Sequence, residues 1–250
     1  MIQLLGVHKS FGNQKVLDGL DLEIPDGKVT VLLGRSGSGK SVTLKHLIGL
    51  IRPDAGRVLV DGEDITTMAG AALNRVRLKF GMLFQEAALF DSMTVRENVA
   101  FPLVEHASLT RREIEERVAR ALDQVELTGA EAKMPSELSG GMKKRVGLAR
   151  AMIMEPRIIL YDEPTSGLDP IMADAINGLI ARMQRDLGVT SFVISHDVDL
   201  AMHVADKVAV LFRGKILAEG TPDEIRAHED PFIRQFLAKS SRGPAAQEEG

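Results

Sequence analysis

The chain has 250 residues and a formal net charge of −4; 44% of the residues are hydrophobic and 26% are charged. This length accommodates one large domain, or a domain with a subdomain, and the mildly acidic balance argues against a large nucleic-acid interface. Because cysteine is absent, disulfides and cysteine metal sites are excluded. The N-terminus lacks a signal-peptide pattern, and no apolar run reaches the roughly 18–20 residues that span a bilayer, so we expect a protein that is soluble by itself.

The first 33 residues are predicted to be rich in β-strands. Alternating apolar residues form short segments there, and turn residues separate them at Phe11–Asn13, Leu17–Gly19 and Pro25–Gly27. The last segment, Val29–Leu33, is an apolar and β-branched strand that leads directly into a glycine-rich motif.

This motif, at Gly34–Ser41, has the spacing G-x-x-x-x-G-K-S. Its glycines let backbone N–H groups approach phosphate oxygens, and the helix predicted from about Gly39 to Leu50 adds its positive N-terminal end. Lys40 can reach the β- and γ-phosphates, and the Ser41 hydroxyl can ligate Mg²⁺. The predicted nucleotide-binding residues are Gly34, Arg35, Ser36, Gly37, Ser38, Gly39, Lys40, Ser41 and Val42.

From about residue 86 to residue 154 the pattern becomes helical. Thr94–Glu97 and Thr110–Glu113 both fit the capping box that begins a helix. After the second box, apolar residues recur at helical spacing up to Val125. This block is predicted to be a helical subdomain inserted into an α/β core.

Strand patterns return at Arg157–Leu160, Ser191–Ile194 and Val208–Leu211, with helical patterns between them. Alternation of strand and helix is typical of a parallel sheet with crossover helices. We therefore expect one α/β domain over residues 1–239, and a polar C-terminal tail, predicted to be disordered, over residues 240–250.

Two acidic residues, Asp162 and Glu163, end the first of these strands. Parallel sheets carry functional groups at the carboxyl ends of their strands. Asp162 is therefore predicted to hold Mg²⁺, and Glu163 is predicted to act as the general base that polarises the attacking water. Without the motif at Gly34–Ser41, a solvated acidic turn before Pro164 would be the better interpretation.

A second glycine motif lies at Leu138–Gly141. Ser139 can cap a helix that begins near Met142, Gly140 and Gly141 permit close approach to an anion, and three basic residues at 143–145 add positive charge nearby. One chain rarely needs two phosphate-binding motifs for one nucleotide. The simplest explanation is a pair of chains, each closing over the nucleotide of the other.

The order of these motifs resembles that of the ATP-binding cassette (ABC) ATPases over about residues 2–225. The resemblance implies that the nucleotide is ATP. It also implies a P-loop fold with an N-terminal antiparallel β-subdomain, a mainly parallel core sheet and an inserted helical subdomain.

The resemblance also assigns roles to further residues. Phe11 matches the aromatic residue that stacks on adenine, although a core aromatic is the alternative, and Val16 is assigned to nucleotide binding with it. Gln85 matches the glutamine that contacts Mg²⁺ and the attacking water, and His196 matches the histidine that senses the γ-phosphate. Asp169 belongs to a loop that pairs across the dimer. Met142 departs from the glutamine of many members and points to a subgroup.

Several stretches resemble the ATPases of the Mla/Mce lipid transporters: Gly34–Val42, Ala88–Val95, Glu97–Leu103, Gly141–Val146 and Leu168–Ala173. This resemblance implies phospholipid transport at the cytoplasmic face of a bacterial inner membrane. The implied complex contains a homodimer of this chain, a dimeric integral-membrane permease, a periplasmic Mce-domain lipid carrier and a small STAS-domain protein.

Two other functions remain open. The first is the ATPase of a small-solute importer, such as one for glycine betaine, but the 25–30 residues after Gly220 are too few for the regulatory domain that those proteins often carry. The second is a soluble ABC-type ATPase of DNA repair or translation, but the chain lacks long coiled coils and a second cassette, and its net charge is negative.

Overall fold

The strands of two sheets organise residues 1–238, the part of the chain that a computed structural model describes; the predicted tail, residues 240–250, lies outside it. The strands are β1 (Ile2–Phe11), β2 (Gln14–Ile24), β3 (Val29–Leu33), β4 (Ala55–Val60), β5 (Glu63–Asp64), β6 (Phe80–Leu83), β7 (Ile158–Asp162), β8 (Thr190–Ser195), β9 (Lys207–Phe212) and β10 (Lys215–Gly220). The helices are α1 (Lys40–Leu47), α2 (Gly70–Arg77), α3 (Val95–His106), α4 (Arg111–Gln124), α5 (Gly140–Met152), α6 (Pro170–Leu187), α7 (Val198–Val204), α8 (Pro222–Arg226) and α9 (Pro231–Leu237).

The first sheet is antiparallel, with the strand order β2-β1-β4-β5. Here the predicted turn at Leu17–Gly19 is wrong, because these residues lie inside β2. The pairing with β1 jumps from Val7 opposite Leu20 to His8 opposite Asp18, which leaves Gly19 as an extra residue with a φ of +75°. The Asp-Gly pair therefore marks a β-bulge, which uses the same left-handed backbone as a tight turn.

The second sheet has the order β10-β9-β3-β8-β7-β6, and all of its strands are parallel except β10. Leu33 pairs with Ser195, Leu83 pairs with Tyr161, and Asp162 pairs with Ile194. The carboxyl ends of β3, β6, β7 and β8 therefore meet at one edge, so the loops that follow these four strands start side by side.

Side chains of this core sheet alternate between two apolar cores. On one face, residues such as Val31, Tyr161 and Val193 pack with α3, α4, α5 and α6. On the other face, residues such as Leu32 and Phe192 pack with α1 and the antiparallel sheet. Both cores contain fully buried side chains, so the sheet is covered on both sides, as a parallel sheet requires.

The helical region consists of α3, α4 and α5. Both predicted capping boxes are present, at Thr94 with Glu97 and at Thr110 with Glu113. Helix α5 begins at Gly140, slightly earlier than expected, because Ser139 is its N-cap. Together with the two sheets, these helices confirm the predicted fold class.

A close backbone contact joins the two sheets. Asp18 in β2 donates its N–H to the carbonyl oxygen of Gly214, in the turn between β9 and β10, at 3.0 Å. A Cβ at Gly214 would lie only 2.6 Å from the carbonyl oxygen of Val16, so the approach requires glycine. Within residues 1–238, no helix is both long and apolar enough to cross a membrane.

Candidate active site

A cleft of about 460 Å³ opens at the carboxyl edge of the core sheet. All but one of the residues that line it are predicted site residues, the addition being Ser166. The lining residues are Phe11, Val16, Ser36, Gly37, Gly39, Lys40, Ser41, Val42, Gln85, Glu163, Ser166 and His196. Four loops that are far apart in the sequence therefore contribute to one cleft, as the sheet register requires.

The loop after β3 leaves the N-terminus of α1 open toward the cleft. Gly39, its N-cap, has a φ of +108°, which only glycine adopts readily, and neither a side-chain cap nor an acidic residue occupies the first turn. A Cβ at Gly34 would lie 2.6 Å from Ser38 Oγ and 3.0 Å from the carbonyl oxygen of Leu211. The first-turn N–H groups and the helix dipole can therefore serve an anion.

Lys40 places a buried positive charge inside this loop. Its side chain is only 6% exposed, and Nζ donates to the carbonyl oxygens of Gly34 at 2.7 Å and Arg35 at 3.1 Å. Glu163 Oε1 lies 3.2 Å from the same Nζ. The ammonium group therefore joins the phosphate-binding motif to the predicted general base.

Glu163 is held from both sides. Its Oε2 accepts hydrogen bonds from His196 Nδ1 at 2.8 Å, from the His196 backbone N–H at 3.2 Å and from Ser195 Oγ at 3.4 Å. The residue is 8% exposed, and its φ is +46°, an uncommon value for a non-glycine residue. Such strain clusters at functional sites, and here it directs the carboxylate into the cleft.

The predicted Mg²⁺ ligands, Ser41, Gln85 and Asp162, offer oxygen donors at or beside the cleft. Asp162 Oδ1 is buried and has no hydrogen-bond partner among residues 1–238. Burial raises the pKa of Asp162, and the charge of Glu163 acts in the same direction, whereas Lys45, Lys40 and Lys144 lower it. A bound cation would favour the ionised carboxylate, and the hydroxyl of Ser41 and the amide of Gln85 offer the oxygen donors that Mg²⁺ prefers.

These residues fit a Mg²⁺ that also takes oxygens from the nucleotide. In the described part of the chain, no group of three or more His, Asp or Glu side chains could hold a metal by itself. Because Mg²⁺ commonly binds one or two protein carboxylates together with substrate phosphates, a larger cluster is not required.

Sequence reasoning missed the position of Lys144. Its residue is 5% exposed, and Nζ donates to the carbonyl oxygens of Gln85 and Glu163 instead of adding charge beside the second glycine motif. Burial lowers the pKa of Lys144, an effect that the nearby carboxylates oppose. The available signal was its place among the buried residues of α5, three and four positions from Gly141 and Leu148.

Arg145 also departs from the expected role. Its guanidinium pairs with Glu126 at 2.7 Å and donates to the carbonyl oxygen of Val125 at 3.0 Å. It therefore ties α5 to the end of α4. Gln85, in contrast, lines the cleft, with Nε2 3.5 Å from Ser166 Oγ.

The second glycine motif does not line the cleft. Ser139 Oγ accepts a hydrogen bond from the Met142 N–H at 3.3 Å, and both Ser139 and Gly140 are exposed. Gly141 packs against Met172 at the start of α6, where Asp169 Oδ1 caps the helix. Ser139, Gly140 and Asp169 are thus exposed near one another, with Gly141 buried between the two helix starts, and none of the four lines the cleft.

Comparison with known proteins agrees with this geometry. The family profile described as "ABC transporter" matches residues 17–166. The chain is 44% identical over 248 residues to the probable ribonucleotide transport ATP-binding protein mkl of Mycobacterium leprae, covering 99% of this chain and 72% of that protein. It is 42% identical over 244 residues to the intermembrane phospholipid transport system ATP-binding protein MlaF of Escherichia coli K12, covering 98% of this chain and 91% of that protein.

Solved structures give the same result. The ATP-binding cassette MJ0796, a dimer in a post-hydrolysis state bound to ADP and Pi, is 30% identical with a TM-score of 0.81, covering 89% of this chain and 99% of that chain. The cassette cbiO1 of Clostridium perfringens, part of an ABC transporter complex, is 31% identical with a TM-score of 0.84, covering 99% of this chain and 98% of that chain. The chain therefore belongs to the ABC transporter family, as an ATP-binding cassette with the fold and the cofactors, ATP and Mg²⁺, of an ATPase.

Proposed function

We propose that this chain hydrolyses ATP to power phospholipid transport through a partner permease, at the cytoplasmic face of a bacterial inner membrane. The single observation that carries the hydrolytic part is the chain of contacts from Lys40 through Glu163 to His196 at the phosphate-binding loop. The phospholipid substrate rests on the end-to-end likeness to MlaF, whose name states that function.

In this proposal each residue acts on a defined atom. Lys40 and the N–H groups of the loop bind the β- and γ-phosphates. Glu163 takes a proton from the water whose oxygen attacks the γ-phosphorus, while the bond to the β–γ bridging oxygen breaks and ADP leaves. His196 orients the Glu163 carboxylate. Ser41, Gln85 and Asp162 would hold Mg²⁺, which supplies neutralising charge at the phosphates.

A second copy of the chain completes the site. Ser139 and Gly140 present a capped helix start to solvent, and the exposed Asp169 caps the neighbouring helix, so these groups can meet the nucleotide of another copy. The dimeric state of MJ0796 with ADP and Pi supports this arrangement. ATP binding would therefore close a homodimer, and hydrolysis would release it.

The segment after Gln85 is the proposed contact for the permease. Phe90 in this segment is 42% exposed, and its ring lies 4.8 Å from that of Phe101, centroid to centroid; Phe84, just before Gln85, is 40% exposed. Leu103, in contrast, is fully buried and belongs to the apolar core. An exposed aromatic surface of this kind suits an apolar helix of a membrane partner. The Mce-domain and STAS-domain proteins would join the complex through that permease.

The hydrolytic part is tested by Glu163→Gln. We expect a loss of ATPase activity of about 100-fold or more, because the base is removed while the shape is kept. The variant should form an ATP-dependent dimer, measured by size-exclusion chromatography with ATP and Mg²⁺. Glu155→Gln is the matched control, since Glu155 is exposed and also has a positive φ, of 53°. Full activity of Glu163→Gln, or a variant that stays monomeric with ATP, would contradict the proposal.

The transport part is tested by affinity purification of the tagged chain from membranes. We expect a permease and an Mce-domain protein to co-purify, and we expect phospholipid vesicles to stimulate the ATPase activity of that complex. Co-purification of a small-solute binding protein, or stimulation by ribonucleotides instead of phospholipid, would replace the lipid assignment and leave the hydrolytic one intact. Absence of any membrane partner would favour a soluble ATPase.

A further inference from the structure

Lys144 is a buried lysine for which the proposed mechanism has no use. It lies on α5, five residues after Ser139, and its residue is 5% exposed. An ammonium group at such a position is costly unless hydrogen-bond acceptors or opposite charges surround it. The groups that surround Nζ should therefore indicate what this lysine does.

The partners of Lys144 are two backbone carbonyls of the cleft. Nζ donates to the carbonyl oxygen of Gln85 and to that of Glu163, the latter at 3.4 Å. Gln85 follows β6 and Glu163 follows β7, and these two strands are neighbours in the sheet. One ammonium group thus links the helix that starts at the second glycine motif to two predicted functional residues.

The Glu163 backbone needs such support. Its left-handed φ is unfavourable for a residue with a side chain. Its N–H donates to the Ile194 carbonyl at 3.0 Å, and its carbonyl accepts the Ser166 N–H at 3.2 Å in addition to Lys144. The direction of the carboxylate, between Lys40 and His196, follows from this fixed backbone.

We propose that Lys144 is a positioning residue for ATP hydrolysis: through the two carbonyls it fixes Gln85 and Glu163 relative to the bound nucleotide. Lys144 is not among the residues that line the cleft, so it would act through these carbonyls. This inference rests on the proposed roles of Gln85 and Glu163. The proposed role differs from that of a residue that only binds ATP, because the loss of Lys144 should slow the chemical step and leave nucleotide binding unchanged.

The test compares Lys144→Met, which keeps the length of the side chain and removes the donors, with Lys144→Arg, which keeps donors. We expect Lys144→Met to lower kcat for ATP by about 10-fold or more and to change KM by less than about threefold. Lys144→Arg should recover a large part of kcat. Because ATP binding is spared, Lys144→Met should still form the ATP-dependent dimer. Lys133→Met, at an exposed lysine of the helical region, is the control.

An unchanged kcat in Lys144→Met would overturn the proposal, and so would a joint loss of ATP binding and kcat, which indicates a general structural role. If Lys144→Met does not fold, Lys144→Gln decides, because its side chain is one bond shorter and its amide cannot reach both carbonyls as Nζ does: a lowered kcat at constant KM supports the proposal and an unchanged kcat overturns it. A fully active Glu163→Gln would overturn the proposed function together with this inference. An inactive Glu163→Gln beside a fully active Lys144→Met would overturn only the role of Lys144.

Discussion

A single buried amide, that of Asn98, holds the exposed aromatic segment in place. Its Oδ1 accepts the Phe90 N–H at 2.8 Å, and its Nδ2 lies 3.0–3.1 Å from the carbonyl oxygens of Phe90, Met93 and Thr94. Asn98→Ala would leave the Phe90 N–H and the Met93 carbonyl without their side-chain partner, so we expect the free energy of unfolding to fall by about 1–3 kcal/mol. Urea unfolding measures this change, with Glu105→Ala on the exposed face of α3 as the control. Equal stability of the two variants would contradict it.

At the scale of the element, the same change from glycine to alanine should have opposite effects on stability at one position inside α6 and one at its end. Gly178 is an exposed helix-interior residue with no heavy atom within 4 Å of an added Cβ, whereas Gly188 ends the helix with a φ of +63°. We expect Gly178→Ala to raise the free energy of unfolding by about 0.5–1 kcal/mol, because alanine restricts the unfolded chain and favours helix. Gly188→Ala should lower it, because the left-handed backbone disfavours a side chain. Thermal or urea unfolding that gave both changes the same sign would contradict this account.

The same scale separates what the sequence could predict from what it could not. Capping boxes such as Thr94–Glu97 depend on neighbouring residues, and both predicted boxes formed. The Leu17–Gly19 turn failed because a bulge and a turn require the same backbone, and only the partner strand distinguishes them. The cleft was predictable because its motifs end adjacent strands, whereas the contacts of Lys144 depend on how α5 docks on the sheet. The helical spacing of α5 indicates that Lys144 lies on the buried face, but it does not indicate which groups Lys144 contacts there.

At the scale of the whole molecule, one histidine should make stability depend on pH. His46 on α1 is buried, its Nδ1 donates to the Val42 carbonyl at 2.7 Å, and burial lowers its pKa from the ordinary value of about 6.5. At a pH between the lowered pKa of the folded chain and the ordinary pKa of the unfolded chain, His46 is protonated when the chain is unfolded and neutral when it is folded. The contribution of His46 to the free energy of unfolding should therefore be complete above about pH 6.5, and the free energy of unfolding should decrease as the pH falls below that value.

Urea unfolding between about pH 7.5 and pH 5.5 measures this slope. His46→Gln removes the titrating group, so we expect a flatter dependence, whatever its effect on absolute stability. The other histidines are exposed or half-buried and serve as the background. An identical slope in the variant would assign the pH dependence to other groups.

The contact of Gly214 with β2 has a consequence for motion. It fastens the strand that carries Val16 to the core sheet, backbone against backbone, with no room for a side chain between them. The strand that carries Val16 and the loop that carries Lys40 should therefore move together. A nucleotide bound between them would move with its own chain when two copies close. The contacts that change during each cycle would then be those at the interface between the two copies.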